Sequence, residues 1–177
     1  MLGRNLDTAK QTDFFLWFHL EQVNSTVDAA GNETLEFRAS GEKFRGFARL
    51  HVRCNPAGEI VGLELSLHRG FVESARDGVF AADYAKSFLL FATPPGDWKS
   101  VQGLAEEIEE GSFVGRHVIM HADVPRPNLP DSKSAGYLTY LGKQIEFSRE
   151  LGGARLEIKN VAVDGVPTLV MTVIVVR

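Results

Sequence analysis

The stretch from Phe47 to Arg69 limits the fold of this chain more than any other part of it. Ala48, Leu50, Val52 and Cys54 fall on one side of an extended backbone, and Val61, Leu63, Leu65 and Leu67 do the same on the way back. Side chains alternate in this way on a strand with one buried face; a helix would scatter them. Between the two runs sits Asn55-Pro56-Ala57-Gly58, with Asn first, Pro second and Gly last, as a type I turn prefers. A four-residue loop there sets Val52 opposite Val61, Leu50 opposite Leu63 and Ala48 opposite Leu65, so both apolar faces meet one core. The opposite face is polar. It places Arg49 across from Glu64, with His51, Arg53, Ser66 and His68 beside them.

The remaining segments supply a sheet and two helices. Residues 1–12 are polar and unpatterned, which reads as a flexible N-terminal arm ahead of a single α+β domain over 13–177. The aromatic run Phe14–Leu20 favours a strand, with a helix from Thr8 to Gln22 as the alternative. After a turn at Asp28–Asn32, Thr34–Arg38 returns as a strand. From Ser74 the period changes to helical, with Val79, Phe80, Tyr84, Phe88 and Leu89 on a wide apolar stripe. Ser74 or Asp77 caps its start, Pro94-Pro95 stops it, and Asp83 pairs with Lys86 on its wet side. A second helix begins at Gly96-Asp97, buries Trp98, Val101, Leu104, Ala105 and Ile108, and ends at Gly111. Glu106, Glu107, Glu109 and Glu110 crowd its end, as a solvated face or an acidic docking surface.

Phe113–Asp123 then reads as a strand, Val124–Ser134 as a long proline-rich loop, and Ala135–Leu141 and Gln144–Arg149 as further strands. A last hairpin, Ala154–Val161 and Thr168–Val176, closes around Asp164-Gly165, which favours a type I′ turn. Its final strand is apolar on both sides, which predicts a central position covered on both faces. The two hairpins echo each other: Ala48-Arg49-Leu50-His51-Val52 parallels Ala154-Arg155-Leu156-Glu157-Ile158, and Leu35-Glu36-Phe37 upstream parallels Ile145-Glu146-Phe147. The expected fold is α+β. It is an antiparallel sheet or partly open barrel of about eight strands with two consecutive helices inserted mid-chain. If the echo is an internal duplication, each half contains one β-hairpin.

Charge and cysteine use narrow the function classes. A net charge of −4, from 19 basic and 23 acidic residues, argues against a non-specific nucleic-acid binder. Cys54 is the one cysteine and lies on an apolar strand face, where it reads as a small buried hydrophobe. No apolar run approaches the roughly 20 residues of a spanning helix, and the first residues lack a signal-peptide core, so no membrane partner and a cytoplasmic location are expected.

No phosphate-binding glycine loop, nucleophile elbow, Cys-x-x-Cys or His-Glu-x-x-His is present, and no catalytic residue, metal site or cofactor is expected. Arg45 and Arg49 have the Arg-x-x-x-Arg spacing of a PilZ phosphate clamp, but Ala57 stands where that pattern needs Ser. His117, His121 and Asp123 would share a strand face, yet residues four apart on a strand lie roughly 13 Å apart, too far for one metal. The candidate ligand-binding residues are Arg49, His51, Arg53, Glu64 and His68, where arginine forks suit carboxylate or phosphate and histidine beside glutamate suits proton movement.

The reading that follows is a non-catalytic binding or protein-interaction module, adaptor or chaperone-like. Its alternative is a small-ligand protein, for an apolar or anionic molecule, with a cavity lined by Phe14, Phe18, Phe88 and Trp98. A third is a small hydrolase or isomerase using His51 or His68 with Glu64. The partner is then a protein or a small molecule, and a homo-oligomer would cover open sheet edges.

Overall fold

Alternation decides the centre of the molecule. The computed structural model describes residues 1–120 and 134–176. β3 (Ala48–Cys54) and β4 (Ile60–His68) are antiparallel, and Leu50, Val52, Leu63, Leu65 and Leu67 are buried along their inner face. The turn is one residue tighter than the spacing implied. Asn55 N donates to Glu59 O at 2.9 Å and Gly58 N to Asn55 O at 2.8 Å, leaving Pro56-Ala57-Gly58 as the loop. Gly58 sits at φ +77, the left-handed position that such a loop requires. Cys54 faces Ile60 while Arg53 faces Gly62, so Val61 bulges out and Ile60 takes the core position expected of it.

The register that results is Val52–Leu63, Leu50–Leu65 and Ala48–Leu67, two residues from the expected one. A two-residue slip keeps every side chain on its own face and changes only its partner. His51 therefore lies opposite Glu64, and Arg49 opposite Ser66.

The other strands are β1 (Leu20–Val27), β2 (Glu33–Ala39), β5 (Glu146–Leu151), β6 (Ala154–Val163) and β7 (Val166–Val175). Together they make one open antiparallel sheet of seven strands, in the order β1-β2-β3-β4-β7-β6-β5. The fold is α+β, with seven strands where about eight were expected. Asp164 (φ 52) and Gly165 (φ 78) form the left-handed pair of a type I′ turn, and Ile158 faces Met171 and Leu156 faces Val173, as the sequence predicts. β7 is central, between β4 and β6, but only one of its faces is covered. Leu169, Met171 and Val173 are buried, whereas Val170, Thr172 and Ile174 lie partly exposed on the outer face.

The β4–β7 ladder gives the sheet a pseudo-two-fold axis that exchanges the Leu63–Val173 and Leu65–Met171 pairs. Under it β3 matches β6 and β2 matches β5. Leu35 pairs with Val52 as Phe147 pairs with Ile158, so the backbone equivalence sets Leu35 against Phe147 rather than Ile145.

Helices cover the inner face. α5 (Gly78–Ala92) starts where Ser74 Oγ accepts from Asp77 N, ends at Thr93 before the prolines, and buries Ala81, Ala85, Phe88 and Leu89. α6 (Trp98–Met120) buries Val101, Leu104, Ala105 and Ile108. It does not end at Gly111. A β-carbon at 111 would overlap the Tyr137 hydroxyl, so this glycine allows a close approach within the helix. The strand expected from Phe113 is helix as far as Met120, so His117 stands on a helix. His121, Asp123 and the proline-rich segment up to Lys133 lie outside the described residues.

Ala135–Leu141, expected as a strand, is the short helix α7 (Ala135–Tyr140). Ser134 caps it by accepting from Tyr137 N, and Glu107 of α6 in turn accepts from Ser134 N and the Ser134 hydroxyl. Of the other crowded glutamates, Glu106 accepts from Gln102, and Glu109 bonds Lys86 of α5 at 2.6 Å. Three of the four thus have partners within the fold.

The N-terminal residues are tied down rather than loose. Gly3 N donates to Ile60 O and Ile60 N to Arg4 O, and α1 (Leu6–Lys10) buries Ala9. The aromatic run is also corrected: it begins as the helix α2 (Asp13–Trp17), and β1 starts only at Leu20. A strand would send Phe14, Leu16 and Phe18 to one face. The helix instead turns Phe14 and Phe15 into the core, where Phe14 stacks on Phe91 and Phe15 meets Phe37 edge-on.

Arg69 joins the halves. It opens α4 (Arg69–Val72), is almost fully buried, and donates to Tyr140 O at 2.7 Å, Asn160 Oδ1 at 3.3 Å and Glu73 Oε1 at 2.6 Å. Asn160 of β6 donates onward to Thr139 O and Gln144 O. Arg69→Ala leaves a buried carbonyl unbonded and should cost about 2–4 kcal/mol. A urea titration should show a lower midpoint with an unchanged slope; a midpoint equal to wild type would contradict this role.

Candidate functional site

The outer sheet face gathers some of the residues singled out in the sequence and disperses others. His51 Nδ1 donates to Glu64 Oε1 at 3.2 Å, and Ser66 Oγ lies 3.4 Å from the same oxygen. The hydrogen bond from His51 leads the effects that hold the Glu64 carboxyl below its ordinary range. Arg53 turns to the β1–β2 turn and bonds Asp28 Oδ2 at 2.8 Å. Asp28 is held at about 2, chiefly by hydrogen bonds from Asn32. Arg49 has no hydrogen bond or ion pair among the described residues. His68 is drawn out of the group: its Nδ1 accepts from Gly70 N at 3.0 Å and caps α4, with its ring against Phe47. The surface dips over Gly62 into a depression of about 260 Å³ between His51, Arg53, Thr172 and Ile174.

A much larger concavity lies on the helical side. It measures about 860 Å³ and runs between the N-terminal segment with α2 and the outward side of α5 up to Trp98. Phe14, Phe18 and Trp98, three of the four residues expected to line an apolar cavity, do line it, but between helices rather than inside a curled sheet. Phe88, the fourth, is fully buried in the core. The mouth carries Trp17, 81% exposed, and Leu90, 45% exposed. On a short helix that already buries Phe14 and Phe15, Trp17 falls on the far side. This second apolar face of α2 is the signal that a strand reading hides.

Two polar side chains of the lining differ in their surroundings: Arg4 is exposed to solvent, and Thr93 is buried. Arg4 makes no side-chain hydrogen bond or ion pair among the described residues. Thr93 is only 5% exposed, and its Oγ1, closed off from the cleft surface, has no hydrogen-bond partner among the described residues. A buried hydroxyl left in this state costs about 1–3 kcal/mol. Asp13, in the first turn of α2, adds the one acidic group among the lining residues. The Met1 nitrogen donates to Phe91 O at 3.0 Å, which sets the turn bearing Arg4 against the end of α5 bearing Thr93.

Other chemistry is sparse. Cys54 is buried, and burial pushes its thiol up. Among the described residues no three His, Cys, Asp or Glu side chains are grouped as a metal site needs, and no helix is long and apolar enough to cross a membrane. Compared with protein-family models, curated proteins and solved structures, the chain matches none.

The His51–Glu64 pair has a pH signature. A carboxyl depressed in the folded state adds stability that is present above its unfolded value, near 4.5, and lost as pH falls through the lower folded value. Both side chains are about a third exposed, so the effect is small. Glu64→Gln should lower Tm slightly at pH 7 and flatten its fall just below pH 4.5, so that the two proteins converge in acid. An identical acid limb in both proteins would count against the pairing.

Proposed function

We propose that the protein is a non-catalytic binding protein and that its ligand occupies the aromatic cleft beside α2 and α5. The observation that carries this is the exposure of Trp17 and Leu90 at the mouth of a concavity of about 860 Å³. Ligand sites typically occupy roughly 300–1,000 Å³ and combine apolar walls with a few polar groups. The cleft meets both criteria. The depression over Gly62 is smaller, and the ionisable side chains around it are already paired, His51 with Glu64 and Arg53 with Asp28. This favours the small-ligand reading of the sequence over a hydrolase or isomerase built on His51.

Both tryptophans of the chain line the cleft, so its occupancy is directly readable. Titration with the neutral apolar dye N-phenyl-1-naphthylamine should quench tryptophan emission and saturate. Trp17→Ala should weaken the dye by about tenfold, or about 1.4 kcal/mol, with little change in Tm. Linear, non-saturating quenching, or equal affinity in the variant, would remove the proposal.

A further inference from the structure

We infer that the free edge of β1 pairs with β1 of a second copy of this chain, antiparallel and about a two-fold axis, joining two seven-stranded sheets into one. The inference concerns the sheet edge and does not depend on the cleft.

β1 ends the strand order, so one of its sides pairs with β2 and the other faces no strand. Glu21–Val27 are all exposed, and only Leu20 is partly covered. Ordering backbone costs about 1–2 kcal/mol per residue, and β1 buries almost no side chain in return. The strand is nevertheless held in place. Asp28, in the turn after it, accepts from Ala30 N, Asn32 N and the Asn32 amide, and Arg53 of β3 reaches the same carboxylate at 2.8 Å. Ser25 Oγ donates to Glu33 Oε1 of β2 at 2.5 Å. The edge is therefore fixed in an extended form, and such an edge is a template for another strand.

The residue pattern of β1 fits a copy of itself. Leu20, Gln22 and Ser25 lie opposite the buried Ala39, Phe37 and Leu35 and so share the inner face with Val27, while Glu21, Asn24 and Thr26 take the outer face. The change of phase is the bulge at Val23. An axis between Val23 and Asn24 sets Leu20 opposite Val27, Gln22 opposite Ser25 and Glu21 opposite Thr26, each pair on one face. Without the bulge, Leu20 and Val27 would point to opposite faces and this register would fail. Apolar then meets apolar at both ends, an amide meets a hydroxyl inside them, and the one charged residue meets a hydroxyl rather than its own copy. The other edge lacks this fit. Centring β5 on its copy at Ser148 sets Glu146 opposite Glu150 twice, and Arg149 is already bonded to Ser100 O of α6.

Sedimentation velocity of the whole chain over a range of concentrations tests this. One strand edge per copy is a small interface, so the dimer is weak and its fraction should rise with concentration. Thr26→Glu, at an exposed position, sets two like-charged pairs across the axis and should raise the dimer Kd by about tenfold, with Tm unchanged in dilute solution. Thr26→Lys should lower the Kd severalfold. Glu21→Lys combined with Thr26→Glu should return it to the wild-type value, a result specific to this register. A monomer at every concentration up to roughly 0.5 mM, or a dimer unmoved by Thr26→Glu, overturns the inference. So does a double variant that associates no better than Thr26→Glu alone.

Discussion

The ladder between β4 and β7 is the constraint on which the rest of the structure depends. It runs from Gly62–Ile174 to His68–Thr168 and joins segments separated by more than half of the chain. Each other ladder links strands that follow one another in the chain, so this ladder alone unites the two halves of the sheet. Closing so long a loop costs entropy that grows only slowly with length, and the inner row of Leu63, Leu65, Leu67, Leu169, Met171 and Val173, all essentially inaccessible, offsets it. α5 and α6, which lie between β4 and β5 in the chain, cross over this row on the inner face. Among the described residues no helix covers the outer face.

The cleft follows from the same arrangement. α5 packs one side on the sheet, and its far side, with Ser87, Leu90 and Phe91, needs another cover. The N-terminal segment supplies it only in part. It is pinned to β4 by the Gly3–Ile60 and Arg4–Ile60 backbone bonds and to α5 by the stacking of Phe14 on Phe91 and Phe18 on Tyr84. The groove therefore runs along a seam between two separately anchored pieces. Concave sites commonly form where packed elements meet without filling the space between them.

The sequence revealed faces better than partners. Alternation places Leu50, Leu63 and Leu65 inward without ambiguity, because period two permits no other arrangement. The pairing across β3 and β4 was off by two residues, since one Asn-Pro-Ala-Gly sequence serves a three- or a four-residue loop, and the bulge at Val61 is decided by backbone hydrogen bonds that composition does not encode. Phe14–Trp17 and Ala135–Tyr140 were misread for a related reason. Short apolar runs fit either period, and capping at Ser134 and packing of Phe14 and Phe15 tip them to helix. Gly111 looked like a stop because a glycine that ends a helix and one that admits a tyrosine are the same letter. The residues of the cleft were partly legible, as the aromatic density of Phe14–Phe18. That helices would enclose them, leaving Phe88 in the core, was not, because enclosure depends on contacts between segments far apart in the chain.

Partnering is what separates the two surfaces. On the outer face the charges are mostly neutralised locally: Arg38 with Glu36, His51 with Glu64, Arg53 with Asp28, and Arg155 and Lys159 with Glu157. A charged ligand arriving there would have to break bonds already made and compete with water for groups that are half exposed, so its net gain would be small. In the cleft the balance is reversed. The apolar walls are already partly desolvated, and Trp17 and Leu90 stand exposed at the mouth, so an apolar ligand that covers them breaks no bond the free protein had made. On the proposed reading, the face with more charge thus offers a ligand less than the face with the exposed tryptophan.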